Sequence, residues 1–422
     1  MSTANEPTPW SYPIGLFEAF GIEMEYMIVD RETLDVRPVC DELFRFATGE
    51  VVSDVEPDGE EGTISWSNEL ALHVVELKTQ RPAVTLDGLD ASFQKGVQRI
   101  DALLEPMGCR LLPTAMHPWM DPDRETRLWP HEYNEIYRVY DKIFGCKGHG
   151  WGNLQSTHIN LPFANEDEFG RLYAALRVVL PLLPAIATSS PILDGKRSPL
   201  ACARMEVYRT NSSRVPMMAG LVVPEPVFTR SGFEEQILGG LYEQLAPHDP
   251  QGILRHEFAN SRGAMARFDR GAIEIRVLDI QECPKADIAI AALIIELVRA
   301  LVDERWISSE QQRSIPTELL HAVLLDTIRS GEHARIRDRV LLDAFGIHDR
   351  EIGAGELWRE ILTRVLPEHP VWTPLLTRML GAGTLSTRLS KQLGVSPTRD
   401  ELRGVYRELA DCLHNGELFR VH

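Results

Sequence analysis

The chain has 422 residues, of which 44% are hydrophobic and 25% charged, a globular balance and enough chain for one large domain or two ordinary ones. Acidic residues outnumber basic ones 62 to 44, for a formal charge of −18, which argues against a general nucleic-acid or anionic-membrane surface. The six cysteines, Cys40, Cys109, Cys146, Cys202, Cys283 and Cys412, form no C-x-x-C pair, so they read as reduced thiols and not as a disulfide frame or zinc site.

Residues 1–13 are polar and proline-containing and lack the apolar centre of a signal peptide, which predicts a soluble cytoplasmic protein. Residues 22–29 (Ile-Glu-Met-Glu-Tyr-Met-Ile-Val) read as a strand, closed by a polar turn. Alternation puts Glu23 and Glu25 on one face and Ile22, Met24, Tyr26 and Ile28 on the other. Two neighbouring carboxylates on an apolar strand are costly to desolvate. Either the face is the solvated side of an edge strand, or a hard divalent cation, Mg²⁺ or Mn²⁺, is shared between them. Residues 36–39 are expected to return as a hairpin partner, 41–47 to form a short helix, and the acidic, glycine-bearing 54–62 a loop. A strand follows at Val74-Val75-Glu76-Leu77, with Glu69 just before it. Helical periodicity covers 86–104, a core strand 109–114, and a helix carrying Tyr133, Tyr137 and Tyr140 the stretch 130–144.

Four glycines between 145 and 152 lead into the strand Ser156-Thr157-His158-Ile159-Asn160-Leu161-Pro162. An apolar helix begins after Asn165, and 189–215 is an irregular polar segment rich in arginine. A strand at 272–279 (Ala-Ile-Glu-Ile-Arg-Val-Leu-Asp) and a buried helix over 286–302 complete the first part. The two most apolar stretches, 172–186 and 288–302, are broken by Arg177, Pro181 and Pro184 and by Glu296 and Arg299, so they are buried helices and not membrane spans. From 303 onward helical patterns dominate and strands stop. Helix-turn-helix spacing is faintly suggested over 384–413, where ordinary helix packing is the better reading. The expectation is an α+β fold, with a catalytic core over 1–302 and a helical portion over 303–422 packed on it.

Polar pairs at i and i+2 recur on apolar strands: Glu23/Glu25, His158/Asn160 and Glu274/Arg276, with the looser pair Glu69 and Glu76. Each alone has a plain alternative, a hydrogen-bonded core histidine or a surface ion pair. Their recurrence favours a shared metal site. Gly21-Ile22-Glu23-Met24-Glu25, Asn68-Glu69 with Glu76-Leu77-Lys78-Thr79, Thr157-His158-Ile159-Asn160, and Gly271-Ala272-Ile273-Glu274-Ile275-Arg276-Val277-Leu278-Asp279 resemble, in order, the motifs of the glutamate–cysteine ligase family. The bacterial carboxylate–amine ligase branch, within the glutamine synthetase-like superfamily, is the nearest in pattern. Where many members carry His-x-His, this chain has His158-Ile159-Asn160.

The resemblance implies a glutamine synthetase-like core, a curved antiparallel sheet flanked by helices, with ATP entering at one end and an acid and an amine at the other. It implies that Glu25, Glu69 and Glu76 hold one Mg²⁺ (or Mn²⁺), and that Glu23, His158 and Glu274 hold a second nearer the phosphates. Arg276 would face the transferring phosphoryl group, while Arg204, Arg209, Arg267 and Asn160 are candidates for gripping substrate. The implied reaction joins a carboxylate, the γ-carboxylate of glutamate, to an amine through an acyl phosphate, releasing ADP and phosphate. A guanidino or small-acid kinase on the same site and a non-catalytic nucleotide or metabolite sensor are the alternatives. Small-molecule partners are expected, with no nucleic acid or membrane, and a homodimer is left open.

Overall fold

A computed structural model describes residues 10–56, 63–348 and 351–422. Residues 1–9 and the 57–62 portion of the expected acidic loop lie outside the described residues. Among the described residues eight strands form one antiparallel sheet: β1 (Gly21–Asp30), β2 (Asp54–Val55), β3 (Ile64–Asn68), β4 (Val74–Thr79), β5 (Cys109–Leu112), β6 (Ser156–Pro162), β7 (Ala264–Arg267) and β8 (Ala272–Asp279). The order is β2-β3-β4-β1-β6-β8-β7, with β5 also paired to β1. The ten-residue β1 is long enough to take β4 along one edge and two strands in succession along the other. Its first half pairs with β6 (Glu23 opposite His158) and its second with β5 (Met27 opposite Leu112).

The two faces of β1 divide as alternation requires. Ile22, Met24, Tyr26 and Ile28 are fully buried and join a core cluster with helices α1 (Leu89–Leu104), α2 (Glu166–Val179) and α3 (Pro284–Val302). A polar pin crosses this core: Thr157 Oγ1 on β6 donates to Asp287 on α3 at 2.6 Å. α2 starts where Asn165 accepts a hydrogen bond from the Glu168 amide, an N-cap that satisfies one orphan donor of the first turn. The opposite face of β1 changes character along its length. At Met27 and Val29 it is covered by the C-terminal helices α4 (Leu385–Leu393) and α5 (Arg399–Asn415), through Leu389, Leu402, Tyr406 and Leu409. At Glu25 it is open to a cavity. Residues past 302, among them Leu320, Leu324 and Trp358, join the same hydrophobic cluster as the sheet.

Several details depart from the sequence expectations. Residues 36–39 make only an isolated bridge, Val36 to Val29, so no hairpin strand forms there. Asp54 and Val55, expected in a loop, form the edge strand β2. β3 was not anticipated because Ser65 and Ser67 interrupt the apolar run, although both serines prove to lie on the polar face. The strand expected at 272–279 is present as β8, but it is preceded by an unanticipated partner, β7, with which it forms a hairpin turning at Gly271. Within 189–215 a short helix, Ala203–Tyr208, is present. Beyond 303 a two-residue ladder pairs Arg335–Ile336 with Ile352–Gly353. Among the described residues no helix is long and apolar enough to cross a membrane.

Candidate active site

Register assembles the site. Glu25 lies opposite Glu76, Glu23 opposite both Lys78 and His158, and Asn160 opposite both Gly21 and Glu274. Direct cross-strand neighbours share a face, so four adjacent strands bring Glu76, Glu25, Glu23, His158, Asn160 and Glu274 together in one polar patch. Gly21 is required beside them: a Cβ there would sit 2.9 Å from Asn160 Cβ. Without it, Asn160 folds over β1 and donates to Glu23 Oε1 at 3.1 Å.

Among the described residues two sets of three potential metal ligands come together, each with donor atoms within 4.8 Å of one another: Glu25, Glu69 and Glu76, and Glu23, Glu76 and His158. Glu76 belongs to both. The first set is the one expected from sequence, with Glu69 supplied by the turn between β3 and β4. In the second, Glu76 stands where Glu274 was expected. Glu274 Oε1 is 3.7 Å from His158 Nδ1, and the carboxylate faces two arginines, Arg276 at 3.0 Å and Arg267 at 3.6 Å.

The ligands are individually held. Ser156 donates to Glu25 Oε2 through its amide at 2.7 Å and its hydroxyl at 2.9 Å, and Ser67 donates to Glu76 Oε1 at 2.7 Å. His158 places Nδ1 2.8 Å from Glu23 and Nε2 2.9 Å from Ser156 Oγ. Burial, then the charges of Glu25 and Glu76, pushes the Glu69 carboxyl well above the usual range. Burial and Glu23 do the same to Glu76. Burial would also raise Glu23, but the hydrogen bond and charge of His158 hold it at about 2. Burial opposes charging His158, yet Glu23, Glu25 and Glu274 raise it above its ordinary value. Three crowded carboxylates that cannot all ionise unaided suit a hard divalent cation, whose charge relieves both repulsion and desolvation.

A cavity of about 370 Å³ opens over this patch. Glu25, Glu69, His158 and Arg276 form its charged side, and Tyr137, Tyr140, Trp151, Tyr208 and Phe258 much of its aromatic wall. Arg276 reaches it from a β-bulge, where the pairing of β8 with β6 slips between Ile275 and Leu278, a distortion that re-aims a side chain. Burial disfavours its charge, but Glu274 and then Tyr208, Glu25 and Glu23 more than compensate, so it stays a firm cation. Arg204 is buried at the cavity, donates from Nη2 to the Arg276 carbonyl at 3.0 Å, and has Nη1 3.5 Å from Asp279. Its Nε has no hydrogen-bond partner among the described residues.

The other candidate arginines are placed differently. Arg267 forms a two-pronged pair with Asp269, at 3.0 and 2.9 Å, beside Glu274. Arg209 is taken up by Glu206 on its own helix, at 2.8 and 2.6 Å, and does not line the cavity. That i, i+3 spacing was readable as a local ion pair. Sequence reasoning missed Ser67 and Ser156, the carboxylate holders, and the aromatic wall. Tyr133, Tyr137 and Tyr140, at i, i+4 and i+7, were the available signal for one wall of a site.

Comparison with known proteins agrees with this architecture. The family model of glutamate–cysteine ligase family 2 matches residues 19–370. A protein of unassigned function from Archaeoglobus fulgidus is 31% identical over 400 residues, covering 94% of this chain and 99% of its own. A Corynebacterium glutamicum protein, provisionally named glutamate–cysteine ligase 2, is 25% identical over 265 residues, 61% of each chain. Among solved structures, the AMP complex of glutamate–cysteine ligase from Francisella tularensis superposes with a TM-score of 0.55 at 13% identity, covering 97% of this chain and 89% of that one. A bifunctional glutathione synthetase from Pasteurella multocida gives 0.52 at 15% identity, over 94% and 52%. These structural likenesses concern the fold alone, an α+β core with added C-terminal helices.

Proposed function

The chain belongs to glutamate–cysteine ligase family 2, and from that premise we propose that it is an ATP-dependent carboxylate–amine ligase. The acid is glutamate, joined through its γ-carboxylate to an amine, with ADP and phosphate as products. The observation that carries the reading is the pair of ligand sets sharing Glu76, directly beside Arg276 and an aromatic-walled cavity.

Glu25, Glu69 and Glu76 would hold one Mg²⁺, or Mn²⁺, and Glu23, Glu76 and His158 a second, with Glu274 beside it. Bound there, the ions supply positive charge for the transferring phosphoryl group. The chain's own residues do the rest. Arg276, oriented by Glu274, presents its guanidinium to the equatorial oxygens of the γ-phosphoryl group. An oxygen of the acid's carboxylate attacks phosphorus and ADP departs, leaving an acyl phosphate. Arg204, with an unpaired Nε at the cavity, is placed to grip the acid substrate. The amine nitrogen then attacks the acyl carbon, phosphate leaves carrying the oxygen that the carboxylate contributed, and the proton shed by the nitrogen goes to the departing phosphate. Tyr137, Tyr140, Trp151 and Tyr208 screen the acyl phosphate from water, so that amine outcompetes hydrolysis. Residues 1–302 carry all these groups, and the helices beyond support them from the β1 face.

The test is product analysis with ATP, Mg²⁺, glutamate and a panel of amines. Amide with equimolar ADP and phosphate supports the ligase. Accumulation of a phosphorylated acid with no amide would assign a kinase, and absence of any ATP turnover a sensor.

A further inference from the structure

Away from the catalytic face, an open hollow of about 490 Å³ lies between the segment 197–201, the end of the helix Thr317–Ser330, and α4. Arg197, Arg329 and Lys391 contribute its cations, and Ser198, Thr387 and Ser390 its hydroxyls. Among the described residues no aspartate or glutamate lines it, although the whole chain carries 18 more acidic than basic side chains. Arg197 and Lys391 have no ion-pair partner among the described residues. Arg329 faces Asp326 at 3.3 Å, but both side chains are well over half exposed, where such pairs are weak. His333, at the rim, is 3.6 Å from Glu332.

Clustered cations left unneutralised in an acidic protein repel one another, and hydroxyl donors beside them add hydrogen bonds suited to an oxyanion. From this combination we propose a second ligand site that binds a phosphate group, either free phosphate or a phosphate monoester. The guanidinium of Arg197 supplies fork geometry for two phosphate oxygens, Lys391 a point charge, and the serine and threonine hydroxyls the remaining donors. The site touches the catalytic machinery through the backbone. Ala201 on its wall accepts from Ser386 Oγ at 2.6 Å, and its amide donates to the Arg329 carbonyl at 3.0 Å. Three residues on, the Arg204 amide donates to Ser190 Oγ, which itself donates to Asp279. An occupant of the hollow therefore fastens the segment that delivers Arg204 to the cavity.

The test is calorimetric titration of the full-length, metal-free protein with orthophosphate and, separately, glycerol 3-phosphate, with sodium chloride at matched ionic strength as control. Saturable binding is expected that weakens at least tenfold in the double variant Arg197→Ala/Lys391→Ala and persists in Arg276→Ala. Both substituted side chains of the double variant are exposed, and an unchanged melting temperature in buffer verifies folding. Binding of both probes assigns a site open to monoesters; binding of orthophosphate alone assigns free phosphate. Heats no greater than those of chloride, or binding that survives in the double variant and is lost in Arg276→Ala, would overturn the proposal.

Discussion

Glu76 is the residue whose replacement separates a metal site from a merely crowded acidic patch. It contributes to both ligand sets, and burial together with Glu23 raises its carboxyl well above the usual range. In the metal-free protein burial and Glu23 therefore favour its protonated form, and Glu76→Gln is close to isosteric with that form. The amide oxygen can still accept from Ser67 Oγ, now at 2.7 Å from the carboxylate. Metal-free stability should thus change by no more than about 0.5 kcal/mol, the range of an uneventful substitution. The response to Mg²⁺ should change greatly. A ligand at 100 times its dissociation constant stabilises the native state by about 2.7 kcal/mol per site. Loss of groups that only support metal ligands already weakens binding about 10–100-fold. Loss of a direct anionic ligand at the upper end of that range leaves a gain of about 0.4 kcal/mol. Differential scanning calorimetry across a Mg²⁺ titration reads both quantities. A wild-type-sized Mg²⁺ gain in Glu76→Gln would refute the two-set arrangement, and a large drop in metal-free stability would refute the protonated-acid argument.

Three further outcomes follow from other parts of the structure. Arg276→Lys keeps a charge but loses the fork, so turnover should fall roughly 10²-fold or more with little change in ATP affinity; steady-state kinetics showing near wild-type turnover would return Arg276 to a strand-holding role beside Glu274. His117 is buried, with Nε2 donating to the Leu34 carbonyl at 2.7 Å and Nδ1 accepting from the Met120 amide at 3.0 Å, and burial lowers its pKa to about 3. The unfolded chain, with a histidine pKa of about 6.5, takes up a proton that the native state refuses. The stability is therefore complete above about pH 6.5 and lost as pH falls toward 3; denaturant titrations should show this slope reduced in His117→Gln. Leu409→Ala, in the layer that covers Met27 and Val29 of β1, should cost about 2–5 kcal/mol, measured by chemical denaturation.

Much of the site was legible because it depends on strand alternation. Glu23 and Glu25 on a strand with buried Ile22, Met24, Tyr26 and Ile28 define a polar and an apolar face without further information, and Glu274 with Arg276 repeats the pattern. What alternation cannot supply is register between strands distant in sequence. Nothing local says that Glu23 meets His158, 135 residues away, or that Glu76 lies near enough to serve both ligand sets. The same limit explains Arg267, whose i+2 partner Asp269 is local but whose approach to Glu274 depends on the β7–β8 hairpin. The same holds for the apolar half of the acidic face of β1: Met27 and Val29 are covered by α4 and α5, at the far end of the chain. The edge strand β2 and its neighbour β3 were obscured by polar residues that face the site and not the core.

The most direct measurement of the central claim follows one oxygen atom. With glutamate labelled with ¹⁸O in its γ-carboxylate, together with ATP, Mg²⁺ and an accepted amine, attack of that carboxylate on the γ-phosphorus followed by amide formation must move one labelled oxygen into inorganic phosphate. Mass spectrometry should find singly labelled phosphate in amounts equal to amide and ADP. Unlabelled phosphate, or label appearing in AMP with release of pyrophosphate, would contradict the acyl-phosphate ligase described above.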